Sequence, residues 1–94
     1  MSKNPRCLYN SDFKSFIDSD IDAIFGALCD NYHGDALTTT REAWKSEIAI
    51  MHNVIASLND GNGQIIFEYD IPRLGKRVDV VLLYRGIIFW WNLR

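Results

Sequence analysis

Three strand-like runs fill the last third of this 94-residue chain, and very short links join them. Links of two to four residues between such runs are typical of β-hairpins. The sequence therefore predicts an antiparallel β-meander over residues 64–94. The three runs are QIIFEYDI at 64–71, RVDVVLLY at 77–84 and IIFWWNL at 87–93, and the links are 72–75 and Arg85-Gly86.

Two helical patterns precede the meander. Apolar residues recur every three or four positions through 11–33 and again through 39–60, which is the spacing of one helix face. The first ten residues show no such pattern and are expected to form an irregular arm. The predicted fold class is α+β, with two helices followed by a three-stranded antiparallel meander, and 1–94 form one small domain. The two apolar stripes are Phe13, Ile17, Ile21, Ile24 and Leu28, then Trp44, Ile48, Met51, Ile55 and Leu58.

The composition is that of a folding chain, with 48% apolar and 13% aromatic residues. A net charge of −2 gives no whole-chain basicity that would indicate nucleic-acid binding. The apolar run Ile87–Trp91 is five residues long, far below the roughly 20 that a membrane helix needs. Cys7 and Cys29 belong to no metal-binding pattern and are expected to be free thiols. We expect a soluble, cytoplasmic protein with no membrane partner.

Two acidic residues occupy positions where apolar ones are expected. Glu47 lies on the flank of the second helical stripe, between the directions of Val54 and Leu58, where a boundary residue is the simpler interpretation. Asp79 interrupts the apolar strand 77–84. A buried carboxylate needs a cation, a set of hydrogen bonds or a metal ion, so Asp79 is a candidate functional residue.

Hairpin geometry places further polar residues beside Asp79. If Arg85-Gly86 is a two-residue loop, Asp79 faces Asn92; if 72–75 is a four-residue loop, Asp79 faces Glu68. These three residues would form a polar row on one sheet face, and Arg77 and Arg94 would form the next row. A row of carboxylates under a helix that carries Glu47 is suited to Mg²⁺.

The stretch W44-x-x-E47, followed by FEYDIPRLGKRVDVVLLYRGIIF at 67–89, resembles the N-terminal core of the PD-(D/E)xK nuclease superfamily. The likeness is greatest to the nuclease-like module that precedes a helicase-type ATPase in bacterial proteins. The resemblance implies that Glu47 matches the family's helical Glu and that Asp79 matches its metal-binding Asp. It also implies that Glu68 and Arg73 match a recurrent segment of that module.

The third family motif departs from the pattern. The family strand resembles G-I-I-F-x-x-E-x-K, whereas this sequence has Asn92 in place of Glu and Arg94 in place of Lys. Asparagine is neutral and arginine cannot act as a general base, so metal affinity and catalysis should both fall. The family core also continues with a helix and a strand, and we expect a truncated relative.

Three functional hypotheses follow. The favoured one is a non-catalytic nuclease-like domain, without a cofactor, that forms a homodimer or binds a larger protein through strand 87–93. The second is a Mg²⁺-dependent phosphodiesterase acting on DNA or RNA. In that case Glu47 and Asp79 would hold the metal, Glu68, Asn92 and Arg94 would complete the site, and a basic cluster would contact phosphate. The third is an unrelated small α+β protein-interaction module. The basic cluster is Arg73, Lys76 and Arg77.

Overall fold

The computed structural model describes residues 7–32, 38–71 and 76–92. It has an α+β fold in which helices cover one face of a four-stranded antiparallel sheet with strand order β1-β2-β3-β4. In chain order the elements are β1 (Tyr9–Asp12), α1 (Phe13–Asp18), α2 (Ile21–Asn31), α3 (Thr38–Leu58), β2 (Gly63–Ile71), β3 (Lys76–Tyr84) and β4 (Ile87–Trp91).

The prediction of a three-stranded meander is wrong, because the last two residues of the predicted arm and the first two of the predicted helix 11–33 form a fourth strand. Strand β1 pairs with β2 from Tyr9 opposite Phe67 to Asp12 opposite Gln64. The sequence YNSD has no β-branched residue and gives no strand signal of its own. Its pairing gives partners to the backbone groups along one edge of β2, a strand whose Ile65 and Phe67 lie in the core. Residues 1–6 of the predicted arm lie outside the described part of the chain.

The single helix predicted over 11–33 is two helices, α1 and α2, with a break between them. Ser19 and Asp20 adopt extended backbone angles, with ψ of 146° and 143°. Ser19 Oγ donates to the carbonyl of Ser15 at 2.7 Å. Short polar side chains that bond to nearby backbone favour helix ends, which explains a break at this point. The N-cap of α1 is Asp12, since Asp12 Oδ1 accepts from the backbone N–H of Ser15.

Helix α3 supplies the largest part of the helical side of the core. It spans Thr38–Leu58, close to the predicted 39–60. Its predicted stripe is buried except for Leu58, which is 36% exposed. The core forms where this stripe and the apolar residues of α1 and α2 meet one face of β2 and β3. Its fully enclosed members include Phe13, Phe16, Trp44, Ile48, Met51, Ile65, Phe67 and Val80.

Both predicted hairpin registers are confirmed. Ile71 pairs with Lys76 across the first link, and Tyr84 pairs with Ile87 across the second. Arg85 and Gly86 have φ angles of 53° and 76°. Positive φ at both loop residues is the signature of a type I′ turn, whose twist matches that of the flanking strands. In the described part of the chain, no helix is both long enough and apolar enough to span a membrane.

Candidate functional site

Three carboxylates are buried in the described part of the structure. Glu47 is 2% exposed, Glu68 is 3% exposed and Asp79 is 4% exposed. Each of them takes part in a hydrogen bond, an ion pair or another electrostatic contact within the protein. Because an unpaired buried charge is very unfavourable, such contacts are what allows three acids to remain in a small domain. The sequence singled out the same three residues.

Glu47 is more deeply buried than its place on the helix predicted. Its neighbours on the same flank of α3 are far more accessible to water: Val54 is 37% exposed and Leu58 is 36% exposed. Ile50, one turn further along, is 47% exposed. The interpretation of Glu47 as a boundary residue that reaches solvent is therefore wrong. Helix periodicity gives only a direction, whereas burial depends on which element lies opposite.

Glu68 and Asp79 lie opposite each other, and the strand ladder is interrupted at that point. Pairing runs through Phe67 opposite Val80 and resumes with Tyr69 opposite Val78. Between these pairs Glu68 has a φ of 55°, which is left-handed backbone. A bulky non-glycine residue is uncommon in this region, and an outlier of this kind is a reason to examine a site for function.

The irregular pair also breaks the alternation of sheet faces. Val80 belongs to the core under the helices, and in a regular strand Val78 would share its face. Val78 instead lines a groove of about 170 Å³ together with Val81 and Trp90. The opposition of positions 68 and 79 is confirmed, but a common face for the predicted polar row stays a prediction.

Asn92 contacts Asp79 as the hairpin register predicts. The backbone N–H of Asp79 donates to Oδ1 of Asn92 at 3.1 Å. Asn92 is exposed and directly follows the end of β4. Its amide oxygen therefore serves as a hydrogen-bond acceptor for the backbone of the neighbouring strand. A carboxylate at this position would accept the same bond and add a negative charge beside Asp79.

The described residues contain no group of three Cys, His, Asp or Glu side chains placed to share a metal ion. Two of the predicted ligands, Glu47 and Asp79, offer oxygen atoms of the kind that Mg²⁺ prefers. Magnesium is commonly held by one or two carboxylates with water completing its shell, so the donor chemistry fits the ion. Magnesium binding by Glu47 and Asp79 stays a prediction.

The predicted basic cluster is only partly within the described residues. Arg77 is exposed and lies opposite Asp70 in the strand ladder, and Lys76 begins β3 opposite Ile71. Arg73 lies outside the described part of the chain, and so does Arg94. Cys7 and Cys29 are free thiols, as predicted.

The free edge of β4 is the second notable feature. Among the described residues, β4 pairs with β3 on one side and has no strand on the other. Its first four residues are all exposed, with Ile88 at 66% and Trp90 at 61%. Large apolar side chains in water on an edge strand mark a surface that favours association. The apolar character of this segment was evident from the sequence.

Sequence patterns did not predict a polar cluster that lies at the β3–β4 turn. Asp60 accepts from the backbone N–H of Asn62 at 2.9 Å, from Tyr84 Oη at 3.3 Å and from Arg85 at 3.4 Å. The bond from the Asn62 N–H is the largest of the effects that lower the pKa of Asp60. The Asp-Gly-Asn-Gly sequence indicated the local turn. It gave no indication of the long-range partners Tyr84 and Arg85.

A scan against protein-family models, a search of curated proteins and a search of solved structures found no match to this chain.

Proposed function

We propose that this chain is a non-catalytic, nuclease-like domain that self-associates by adding a strand at the free edge of β4. The observation that carries the proposal is the exposure of Ile88 and Trp90, at 66% and 61%, on a strand that has one neighbour in the described part of the sheet. Such an edge presents unpaired backbone N–H and C=O groups beside apolar side chains. An added strand would pair these backbone groups and cover these apolar side chains.

The composition of β4 supports this proposal. Natural edge strands are commonly protected by lysine, proline or an inward-pointing charge. The sequence of β4, IIFWW, contains none of these. The two residues on its outer face, Ile88 and Trp90, also border the apolar groove of about 170 Å³. Pairing at this edge would therefore remove a continuous apolar area from water.

The environment of Asn92 supports the absence of catalysis. Its Oδ1 accepts from the backbone of Asp79, so the side chain holds β3 to the segment after β4. A neutral amide supplies less attraction for a divalent cation than the Glu of the family pattern. Arg94, at the position of the family's Lys, remains protonated and cannot take a proton from water.

The proposal is tested by measuring the mass in solution over a wide range of protein concentration, with Trp90→Lys as the disrupting variant. We expect a concentration-dependent dimer in the natural chain and a monomer in Trp90→Lys. Ile50→Lys is the matched control, because Ile50 is an exposed apolar residue on α3 and not on β4. A natural chain that stays monomeric at high concentration would contradict the proposal.

A second function, Mg²⁺-dependent phosphodiester cleavage of DNA or RNA, is favoured by the burial of Glu47, Glu68 and Asp79. In this case Glu47 and Asp79 would bind the metal, and Arg77 in the basic cluster would contact phosphate. A titration with Mg²⁺ or Mn²⁺ should then shift the NMR signals of Glu47 and Asp79 in the natural chain and not in Asp79→Asn. No response at millimolar metal would remove this function.

A further inference from the structure

We infer that two copies of β4 pair antiparallel, with Phe89 of one copy facing Phe89 of the other across a two-fold axis. This inference rests on the proposed function and specifies its partner and register. It follows from which backbone groups of β4 point away from β3. It also depends on which residues those groups can meet in an identical strand.

The turn between β3 and β4 fixes the direction of each backbone group. In a two-residue hairpin the closing pair, here Tyr84 and Ile87, exchanges both of its backbone hydrogen bonds. Hydrogen-bonded pairs then alternate with non-hydrogen-bonded pairs along the ladder. Phe89, opposite Leu82, therefore bonds to β3. The N–H and C=O groups of Ile88 and Trp90 point to the free edge.

Only one register uses all of these outward groups within β4. An antiparallel partner must place an outward residue opposite an outward residue, so Ile88 must meet Ile88 or Trp90 of the other copy. Ile88 opposite Trp90 occurs twice around a two-fold axis, and each pair exchanges two backbone hydrogen bonds. The alternatives, Ile88 or Trp90 opposite itself, would pair β4 residues with Gly86 or Asn92, which lie outside the strand.

Neither Gly86 nor Asn92 is well suited to pairing with a strand of the second copy. Gly86 is the second residue of the turn and has a φ of 76°, far from strand geometry. The Asn92 side chain is already bonded to the backbone of Asp79, which ties that residue to β3. The register centred on Phe89 avoids both positions. It also brings together five apolar residues from each copy, with no charge placed opposite a like charge.

The side chains on both faces of β4 suit this arrangement. Ile88 and Trp90 lie on the face of the apolar groove. Ile88 of one copy would lie beside Trp90 of the other, so the apolar groove would continue into the second copy. Phe89 is on the face of the helices and is 43% exposed. Two Phe89 rings meeting at the axis would both be withdrawn from water. The two sheets would become one continuous sheet of eight strands.

Cysteine cross-linking tests the register directly. In a background of Cys7→Ser and Cys29→Ser, the Phe89→Cys variant is oxidised with copper–phenanthroline and run on a non-reducing gel. Two residues facing each other in a non-hydrogen-bonded pair have Cα atoms about 4.5 Å apart, within disulfide range. We expect most of the protein to move to the mass of a covalent dimer.

Ile87→Cys in the same background is the matched control. Ile87 is on the same face and is more exposed, at 55%, but it lies two positions from the axis. Its two copies would be four residues apart, about 13 Å, which a disulfide cannot span. Ile87→Cys alone should remain a single chain on the gel, whereas mixing it with Trp91→Cys should produce a cross-linked heterodimer. The mixture also tests the register if Phe89→Cys does not fold.

The outcomes separate this inference from the proposed function. A chain that is dimeric by mass, but in which Ile88→Cys or Trp90→Cys cross-links to itself and Phe89→Cys does not, would overturn the register and leave self-association through β4 intact. Amide hydrogen exchange of the natural chain tests the edge itself. Protection of the Ile88 and Trp90 amides should rise with protein concentration, while the amides of Ile87 and Phe89 stay protected throughout. Unchanged exchange at Ile88 and Trp90 in a dimeric sample would overturn both.

Discussion

The backbone N–H of Asp79 donates to the side-chain oxygen of Asn92 at 3.1 Å, and this bond joins the middle of β3 to the residue that follows β4. The bond lies where the regular ladder between β2 and β3 is interrupted, at Glu68 opposite Asp79. The amide of Asn92 thus satisfies a backbone donor at the irregular point of the sheet. Asn92, which takes the place of a glutamate in the pattern that the sequence resembles, therefore makes a structural hydrogen bond.

Asn92→Ala should therefore lower the free energy of unfolding by about 1 kcal/mol, the usual net contribution of a partly buried hydrogen bond. Urea denaturation of the purified chain measures the change. Asn62→Ala is the control, because Asn62 is exposed and its side chain makes no hydrogen bond within the described part of the chain. Equal stability of Asn92→Ala and the natural chain would show that the bond contributes nothing.

The left-handed backbone at Glu68, with a φ of 55°, makes a second prediction possible. Glu68→Gly and Glu68→Ala both remove the carboxylate and its contacts, but only glycine adopts this backbone without a steric penalty. We expect Glu68→Gly to be more stable than Glu68→Ala by about 1 kcal/mol in urea denaturation. The reverse order would mean that position 68 has ordinary strand geometry.

Gly63 allows close packing of Phe13 against the start of β2. A Cβ at position 63 would lie 2.6 Å from Cζ and 2.8 Å from Cδ2 of Phe13, whose ring is fully buried. Gly63→Ala should lower the free energy of unfolding by about 1–3 kcal/mol, because a packed ring has no room to move. At Gly61 the nearest atom is 3.6 Å away, so Gly61→Ala should change stability by less than about 0.5 kcal/mol. Similar losses in both variants would contradict this packing.

Loop lengths predicted the pairing of β2, β3 and β4, because a short link leaves few registers open to two strands. The same reasoning could not find β1, because the sequence YNSD has no apolar alternation and its pairing with β2 is a tertiary contact. It also did not recognise the break at Ser19–Asp20. Local patterns describe segments, and these features depend on what the rest of the fold requires of them.

The candidate site could also be predicted from the sequence only in part. Apolar patterns singled out Glu47 and Asp79, and the hairpin register added Glu68 opposite Asp79; all three are buried. The backbone of Glu68 could not be foreseen, since glutamate has no preference for positive φ. The partners of Asp60 were also hidden, because Tyr84 and Arg85 are more than twenty positions away in sequence.

Asp60 yields a prediction about pH. The bond from the Asn62 N–H is the largest effect that lowers its pKa below the usual 3.8, and the Tyr84 hydroxyl and Arg85 act in the same direction. A carboxylate whose pKa is lower in the folded state stabilises the fold above its usual pKa. That contribution is lost as pH falls through the lowered value. Asp60 should therefore titrate below 3.8 in an NMR pH titration of its carboxyl carbon.

Arg85→Ala separates the contributions to this shift. The charge of its guanidinium and the hydrogen bond that it donates each lower the pKa of Asp60 less than the Asn62 N–H does, so the pKa should rise in the variant and still remain below 3.8. An exposed ion pair contributes little to stability, which means that the unfolding free energy of Arg85→Ala at neutral pH should stay close to that of the natural chain. If the Asp60 pKa returned fully to 3.8 in Arg85→Ala, the turn N–H would not be the main cause of the shift.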